Sequence, residues 1–263
     1  MRTATKNKNK FVLTLMFTII IILTLVVVVL VAALMKRPAE EIDPHEGQVY
    51  INDGFGMVWM TPLEGVDVNN ISQSDIVRYD GVPKYVGEGY ETLRGVDVSE
   101  HQYDIDWAAV AASGVDFAYI RLGYRGYTQG GLFEDAYFKA NIEGAKSNGI
   151  KVGVYFFSQA INVQEAIEEA DFVLERIEQY DIDLPVMYDW EKMEEAGADA
   201  RTYQLDTAIL DECAVAFCET VKKAGYEPGV YFNRYIGYYG FDLSRLNSYK
   251  FWLAVPGDFP DFY

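Results

Sequence analysis

The sequence predicts an α/β protein: a modified (β/α) barrel of the TIM-like kind, preceded by one N-terminal transmembrane helix. Three observations predict it. From Gly95 onward, strand-like runs alternate with helix-like runs, which is the signature of βα units and a parallel sheet. Those strand runs are apolar without alternation, as suits a sheet covered on both faces. Ahead of them, Phe11–Met35 is a run of 25 residues without a charge, longer than the ~20 that a helix needs to cross a bilayer.

The flanks of the apolar run set its orientation. Arg2, Lys6, Lys8 and Lys10 precede it and no acid does, so residues 1–10 read as a cytoplasmic basic tail under the positive-inside rule. A cleaved signal peptide has an apolar region of ~7–15 residues ending at a small-x-small site. Residues 11–35 exceed that length, and Ala32-Ala33-Leu34-Met35-Lys36-Arg37 is a poor cleavage site. The expectation is an uncleaved signal anchor in the cell membrane, with everything after Arg37 outside the cell. Residues 36–94 read as a stalk and a small β-prone extension. The stalk is polar, with Pro38 and Pro44; Gln48–Ile51 and Met57–Met60 are short strand candidates between Gly and Asp turns. No chemistry is legible there.

Residues 95–263 form the main domain. Strands are expected at Gly95–Ser99, Val115–Leu122, Lys151–Phe157, Pro185–Trp190, Gly229–Phe232 and Phe251–Val255. Helices are expected at Ile105–Ala112, Asp135–Ser147, after Asn162, and at Thr207–Ala224. Asn162 suits an N-cap, and Ala166, Ile167, Ala170, Val173, Leu174 and Ile177 follow helical spacing. Glu165, Glu168, Glu169 and Glu175 of that helix read as a solvated face. No glycine-rich phosphate loop follows the first strand, which favours a barrel over an open nucleotide-binding sheet.

Composition narrows the functions. The chain has 263 residues, 50% of them hydrophobic, which excludes a disordered or collagen-like protein. Residues 1–35 hold four bases, so the rest carries 18 bases against all 40 acids. Such a body repels phosphate backbones, and no nucleic-acid partner is expected. Cys213 and Cys218, five apart on a helix, exclude a disulfide framework and read as small core residues. Two thiols and two histidines make no zinc site, so neither metal nor cofactor is expected.

Functional residues of a parallel barrel sit at the C-terminal strand ends. Those ends carry Asp97 and Ser99, then Arg121 and Tyr124, then Tyr155, Phe157 and Ser158, then Asp189-Trp190-Glu191, then Tyr231 and Asn233, with Trp252 on the last strand. Carboxylates for proton transfer among aromatics that stack on ring faces suggest a sugar site. Asp189 and Glu191, two apart on a strand, face the same way ~6.5–7 Å apart. Carboxyls that close push their pKa values apart, leaving one protonated and one charged, the division of labour that glycosidic cleavage requires. Two surface acids at a strand end would read alike, but the apolar Leu184-Pro185-Val186-Met187-Tyr188 run places this pair at a buried strand's end. Tyr155, Tyr188 and Trp252 read equally as core aromatics, Asp97 equally as a turn carboxylate, and His101 as a loop histidine.

These segments resemble glycoside hydrolase family 25, the Chalaropsis-type lysozymes. Gly95-Val96-Asp97-Val98-Ser99-Glu100-His101-Gln102 with Ile105-Asp106-Trp107 is similar to its opening motif. Val115–Arg121, Lys151–Phe157, Val186-Met187-Tyr188-Asp189-Trp190-Glu191, Gly229-Val230-Tyr231 and Phe251-Trp252-Leu253-Ala254 follow in order. The resemblance implies an N-acetylmuramidase that cuts the β-1,4 bond between N-acetylmuramic acid and N-acetylglucosamine in peptidoglycan, without a metal. It implies Glu191 as general acid/base and Asp189 as its partner, stabilising the cationic transition state or orienting the substrate's acetamido group. Asp97 would be a supporting carboxylate; Tyr124, Tyr155, Tyr188, Tyr231, Trp252 and Arg121 would line the glycan cleft. The family pattern runs on past the Trp252 strand to a Trp-Gln pair and a further cleft aspartate, whereas this sequence stops at Phe259-Pro260-Asp261-Phe262-Tyr263. The expectation is a barrel lacking its C-terminal end, in either a fragment or a naturally truncated product. A membrane-anchored peptidoglycan hydrolase is thus expected, with a catalytically impaired, membrane-tethered glycan-binding protein as the alternative.

Overall fold

The computed structural model of the protein describes residues 2–35, 43–79, 81–193, 196–257, 259 and 262. The chain divides into two compact units, Met1–Glu46 and Gly47–Tyr263. The first contains helix α1 (Arg2–Met35), whose Lys10–Ala33 stretch is long and apolar enough to cross a membrane. Its apolar side chains are exposed on every side, Phe11, Ile20 and Val31 alike, so the helix has no polar face to offer water. Residues 36–42 of the expected stalk lie outside the described residues.

The second unit opens with two antiparallel hairpins, β1 (Val49–Asn52) with β2 (Met57–Met60) and β3 (Ile76–Tyr79) with β4 (Val82–Tyr85). The βα alternation then runs β5 (Gly95–Val98), α2 (Trp107–Ala112), β6 (Phe117–Arg125), β7 (Leu132–Glu134), α3 (Phe138–Ser147), β8 (Lys151–Ser158) and α4 (Val163–Ile177). It continues with β9 (Val186–Trp190), α5 (Thr207–Lys223), β10 (Pro228–Asn233), α6 (Leu243–Leu246) and β11 (Lys250–Ala254). Side-chain caps start the helices: Asn162, as expected, accepts from the Glu165 amide at 3.0 Å, and Asp106 and Asp206, which the sequence reading did not single out, accept from Ala109 at 3.0 Å and Ala208 at 2.8 Å. Each satisfies an amide that has no partner within its helix.

The six expected strands are parallel in the order β11-β10-β9-β8-β6-β5, and β7 pairs antiparallel with β6. Tyr119 on β6 and Trp252 on β11 lie four strands apart, ~19 Å in a flat sheet. Their ring centroids are 4.7 Å apart, so the sheet is curled around a lumen. Among the described residues β5 and β11 do not pair with each other, and the sheet is a curled half-barrel with two edges.

The hydrophobic core lies between the outer face of this sheet and the helices. Ala118, Ile120, Val152, Val154, Phe156, Val186, Val230 and Phe232 pack there against Ile142, Ala166, Ala170, Val173, Phe217 and Val221. Both cysteines are buried free thiols of α5. The solvated face expected on α4 is corrected for two of its four glutamates. Arg125, buried at the end of β6, donates from Nε to the fully buried Glu169 at 2.7 Å, and from its other nitrogens to the carbonyls of Gly130 and Glu165. Glu165 in turn accepts from Arg201 at 2.6 Å. Burial pushes the Glu169 carboxyl up to about 7 despite Arg125. Helical periodicity could not reveal a partner 44 residues earlier in the chain.

β6 carries a register shift between Arg121 and Gly123, so Leu122 is extra and Tyr124 returns to the face that Arg121 occupies. The bulge brings β7 close: a Cβ on Gly123 would lie 2.3 Å from the Phe133 carbonyl oxygen. Backbone cannot yield there without breaking the β6–β7 pairing. Gly123→Ala is therefore expected to cost about 1–3 kcal/mol, measured as a lowered denaturation midpoint of the folded unit.

Candidate active site

Side chains on a parallel sheet alternate between two faces, and residues in register share one. Phe157 of β8 is in register with Asp189 of β9, which is in register with Tyr231 of β10, itself in register with Trp252 of β11. One level down, Arg121 is in register with Tyr155. All of these face the lumen. Trp252 ties the aromatics together: beyond its stacking on Tyr119, it meets Tyr155 edge-on at 6.0 Å and Tyr231 at 5.1 Å. Glu191 follows the last residue of β9, two positions beyond Asp189 and on its side of the strand.

The carboxylates are electrostatically unusual. Asp97, Asp189 and Glu191 are all held above their ordinary values, and at each the largest cause is desolvation. Asp189 is raised furthest; Glu191 and Asp97 push it up further and Arg121 pulls it down. Glu191 is pulled down by a hydrogen bond from Tyr231 and pushed up by Asp97. Burial outweighs mutual repulsion here, and Asp189, the deeper of the two, is raised further than Glu191. Its Oδ1 has no hydrogen-bond partner among the described residues.

Two polar arrangements brace the site. Arg121 donates from Nε to the buried Asp135 at 2.7 Å and from Nη2 to Glu100 at 3.0 Å, and its guanidinium lies over the Tyr124 ring. Its donors are thus largely committed to the protein, and it reaches Asp189 and Tyr155 through its charge. Gln159 is fully buried and was not legible as a site residue. Its Nε2 donates to the Glu191 carbonyl at 2.9 Å, while its Oε1 accepts from Thr202 at 2.7 Å. The only sequence signal was its place just past the end of β8. Tyr188 is the expected site residue that the structure does not bring to the cleft. Between Met187 and Asp189 it must face outward, and its fully buried ring packs 5.3 Å from Phe217 of α5.

Three cavities are lined by these groups. One of about 740 Å³ is lined by Glu191, Asn233, Tyr235 and Phe55. Another of about 390 Å³ holds Asp97, Tyr119, Met187 and Trp252, and a third of similar size holds Glu100, His101, Arg121, Tyr124 and Phe157. Among the described residues, no three His, Cys, Asp or Glu side chains come together in a way that could hold a metal ion. The arrangement can bind a polar ligand with apolar faces and give it a proton from a desolvated carboxyl.

Comparison with known proteins agrees. The chain is 35% identical to lysozyme M1 of Streptomyces globisporus over 80 residues, 30% of this chain and 25% of that one. It therefore spans only a quarter of that curated relative's length. The bacterial lysozyme of Streptomyces coelicolor shares the fold, with a TM-score of 0.50 and 23% identity over 65% of this chain and 82% of that one. So does a family 25 glycosyl hydrolase of Bacillus anthracis, with a TM-score of 0.50 and 22% identity over 62% and 70%. The family model for glycosyl hydrolases family 25 matches residues 96–258, more than half of the chain, from the second residue of β5 to beyond the end of β11. This chain belongs to glycosyl hydrolases family 25.

Proposed function

We propose that this protein is a membrane-anchored N-acetylmuramidase, cleaving the β-1,4 bond between N-acetylmuramic acid and N-acetylglucosamine in peptidoglycan. The observation that carries the reading is the set of desolvated carboxyls, Asp97, Asp189 and Glu191, in an aromatic-walled lumen at the C-terminal strand ends. Residues 95–263 serve as the catalytic domain and residues 11–35 as the anchor. The Lys10–Ala33 stretch supports a single crossing, with residues 1–10 inside the cell and the catalytic domain outside. Tethering raises the enzyme's concentration on nearby glycan strands, which favours remodelling of the producing cell's own wall.

Glu191 is the general acid. It borders the largest of the three cavities, where a glycan strand has access, and desolvation keeps it protonated above the ordinary carboxyl range. It donates its proton to the glycosidic oxygen as the bond to the anomeric carbon breaks, and the leaving sugar departs as an alcohol. Water then adds to the anomeric carbon in the net reaction, and its proton returns to Glu191. Asp189, whose carboxyl is held well above its ordinary value by burial and whose Oδ1 is unpartnered among the described residues, suits a hydrogen bond to the substrate's acetamido group better than the stabilisation of a cation. Tyr155, Tyr231 and Trp252 offer the glycan apolar faces, and Tyr124 sits beside Arg121 at the far wall. A second reading, a glycan-binding protein of impaired catalysis, draws support from β5 and β11, which among the described residues do not pair with each other across the lumen.

Glu191→Gln is expected to lower kcat by about 10²–10⁴-fold, read as soluble muropeptides released from purified cell walls. Release by the parent protein rejects the binding-only reading; equal release by the variant rejects Glu191 as the acid. The pH profile supplies a sharper check. Activity requires protonated Glu191, so kcat/KM falls on the alkaline side. Tyr231→Phe removes a bond that favours the carboxylate and moves this limb to higher pH; Asp97→Asn removes a repelling charge and moves it to lower pH.

Stability should follow the opposite logic. Carboxyls whose folded pKa is raised contribute stability in full below their unfolded value of ~4, and that contribution is lost as pH climbs through the folded value. Asp189→Asn is thus expected to gain about 0.5–2 kcal/mol at pH 7–8 and little at pH 4, as seen in thermal midpoints across that range. A variant no more stable than the parent at pH 8 contradicts a buried, reluctantly ionised Asp189.

A further inference from the structure

The β1–β2 hairpin precedes the family match by some 36 residues, yet it reaches the mouth of the cleft. Its turn is held firmly. The Asp53 carboxylate accepts from the amides of Phe55 at 2.9 Å and Gly56 at 3.1 Å, and from the Tyr239 hydroxyl at 3.0 Å. The Asp53 amide donates to the Gly56 carbonyl at 3.0 Å. Gly54 adopts φ +102°, a conformation that side-chain-bearing residues rarely take, and its missing Cβ would sit 3.8 Å from Cβ of Arg234. The turn is therefore fixed against the segment that follows β10.

What this turn presents is an aromatic ring that the fold does not use. Phe55 is 84% exposed. It meets Tyr235 edge-on at 5.3 Å, and Tyr235 meets Tyr239 at 5.1 Å, making a row of exposed aromatics. Phe55 and Tyr235 of this row border the 740 Å³ cavity that is also lined by Glu191 and Asn233. An exposed apolar ring on a rigid tip carries a hydration cost that a ligand removes by covering it. The cavity's mixed lining, apolar rings beside a carboxyl and an amide, matches a pyranose, which has apolar C–H faces and a polar rim.

We propose that Phe55 is a glycan-positioning residue. Its ring stacks on a sugar of the strand next to the bond that Glu191 cleaves, so a hairpin outside the family's shared segment builds one wall of the cleft. This rests on the hydrolase reading for its purpose, but its binding arm can be tested without it. Phe55 acts through the glycan and not on the reacting atoms, so KM should move and kcat should not.

The experiment uses the full chain in detergent, with the tetramer of N-acetylglucosamine as binding probe and purified peptidoglycan as substrate. Phe55→Ala is expected to weaken tetrasaccharide binding by about 3–10-fold and to raise KM similarly, with kcat within about twofold. Phe55→Trp should restore both, and the thermal midpoint should not move. Unchanged affinity and KM in Phe55→Ala overturn the proposal, as does failure of Phe55→Trp to restore them. If the parent binds the tetrasaccharide but releases no muropeptides, the hydrolase reading fails, while the response of affinity to Phe55→Ala still decides the role of the hairpin.

Discussion

The stacking of Tyr119 on Trp252 is the contact on which the rest of the molecule depends. It joins strands that sheet order keeps four apart, and it exists only because small residues line the lumen beside it. A Cβ on Gly153 would lie 2.5 Å from the Tyr119 ring, and one on Gly229 would lie 2.4 Å from the Met187 sulfur. With those places empty, large side chains from neighbouring strands fill the interior and the sheet curls around them. The curl turns a row of strand ends into a concave site. In a flat sheet Asp97, Asp189 and Glu191 would be spread along a solvated edge and would behave as ordinary surface acids.

Curling also sets the order of the electrostatic effects. Repulsion between neighbouring carboxylates is real at Asp189, but desolvation ranks above it at all three acids. Depth in the lumen therefore decides which carboxyl holds its proton most tightly. Asp189 lies within β9 and is almost completely enclosed; Glu191 lies one step beyond the strand end, beside an open cavity, where Tyr231 supports its ionised form. That gradient separates a carboxyl suited to hydrogen bonding in place from one suited to exchanging its proton with a substrate.

The outer face of the same strands holds the inner face still. Arg125 and Glu169 are paired across β6 and α4 in a region too enclosed for water to screen them, where loss of one partner would strand the other's charge. Gln159 and Thr202 fix the main chain at Glu191 from behind. Arg121 is clamped by Asp135 and Glu100, so its positive charge stays at a constant distance from the carboxyls. Positioning is thus delegated to buried polar groups, and the lumen side chains remain free to meet a ligand.

Much of this was legible from residue order. Strand and helix positions from Gly95 to Ala254 follow from local periodicity and capping residues, and Asp97, Asp189, Glu191, Tyr231 and Trp252 follow from knowing that strand ends carry chemistry. What periodicity could not see was any relation across the chain: Arg125 seeking Glu169, Gln159 supporting Glu191, or the bulge at Leu122 that returns Tyr124 to the lumen. Tyr188 was misplaced because a run of five buried residues gives no sign of which face each one takes. The hairpin at residues 49–60 was visible only as short β-prone pieces, since its placement rests on contacts with Tyr235 and Tyr239. By itself the sequence determined which residues form strands and helices, because backbone preference and apolar spacing are local properties. Only the tertiary structure decided how deeply each acid is buried and what stands opposite it, because desolvation is a property of the enclosing surface.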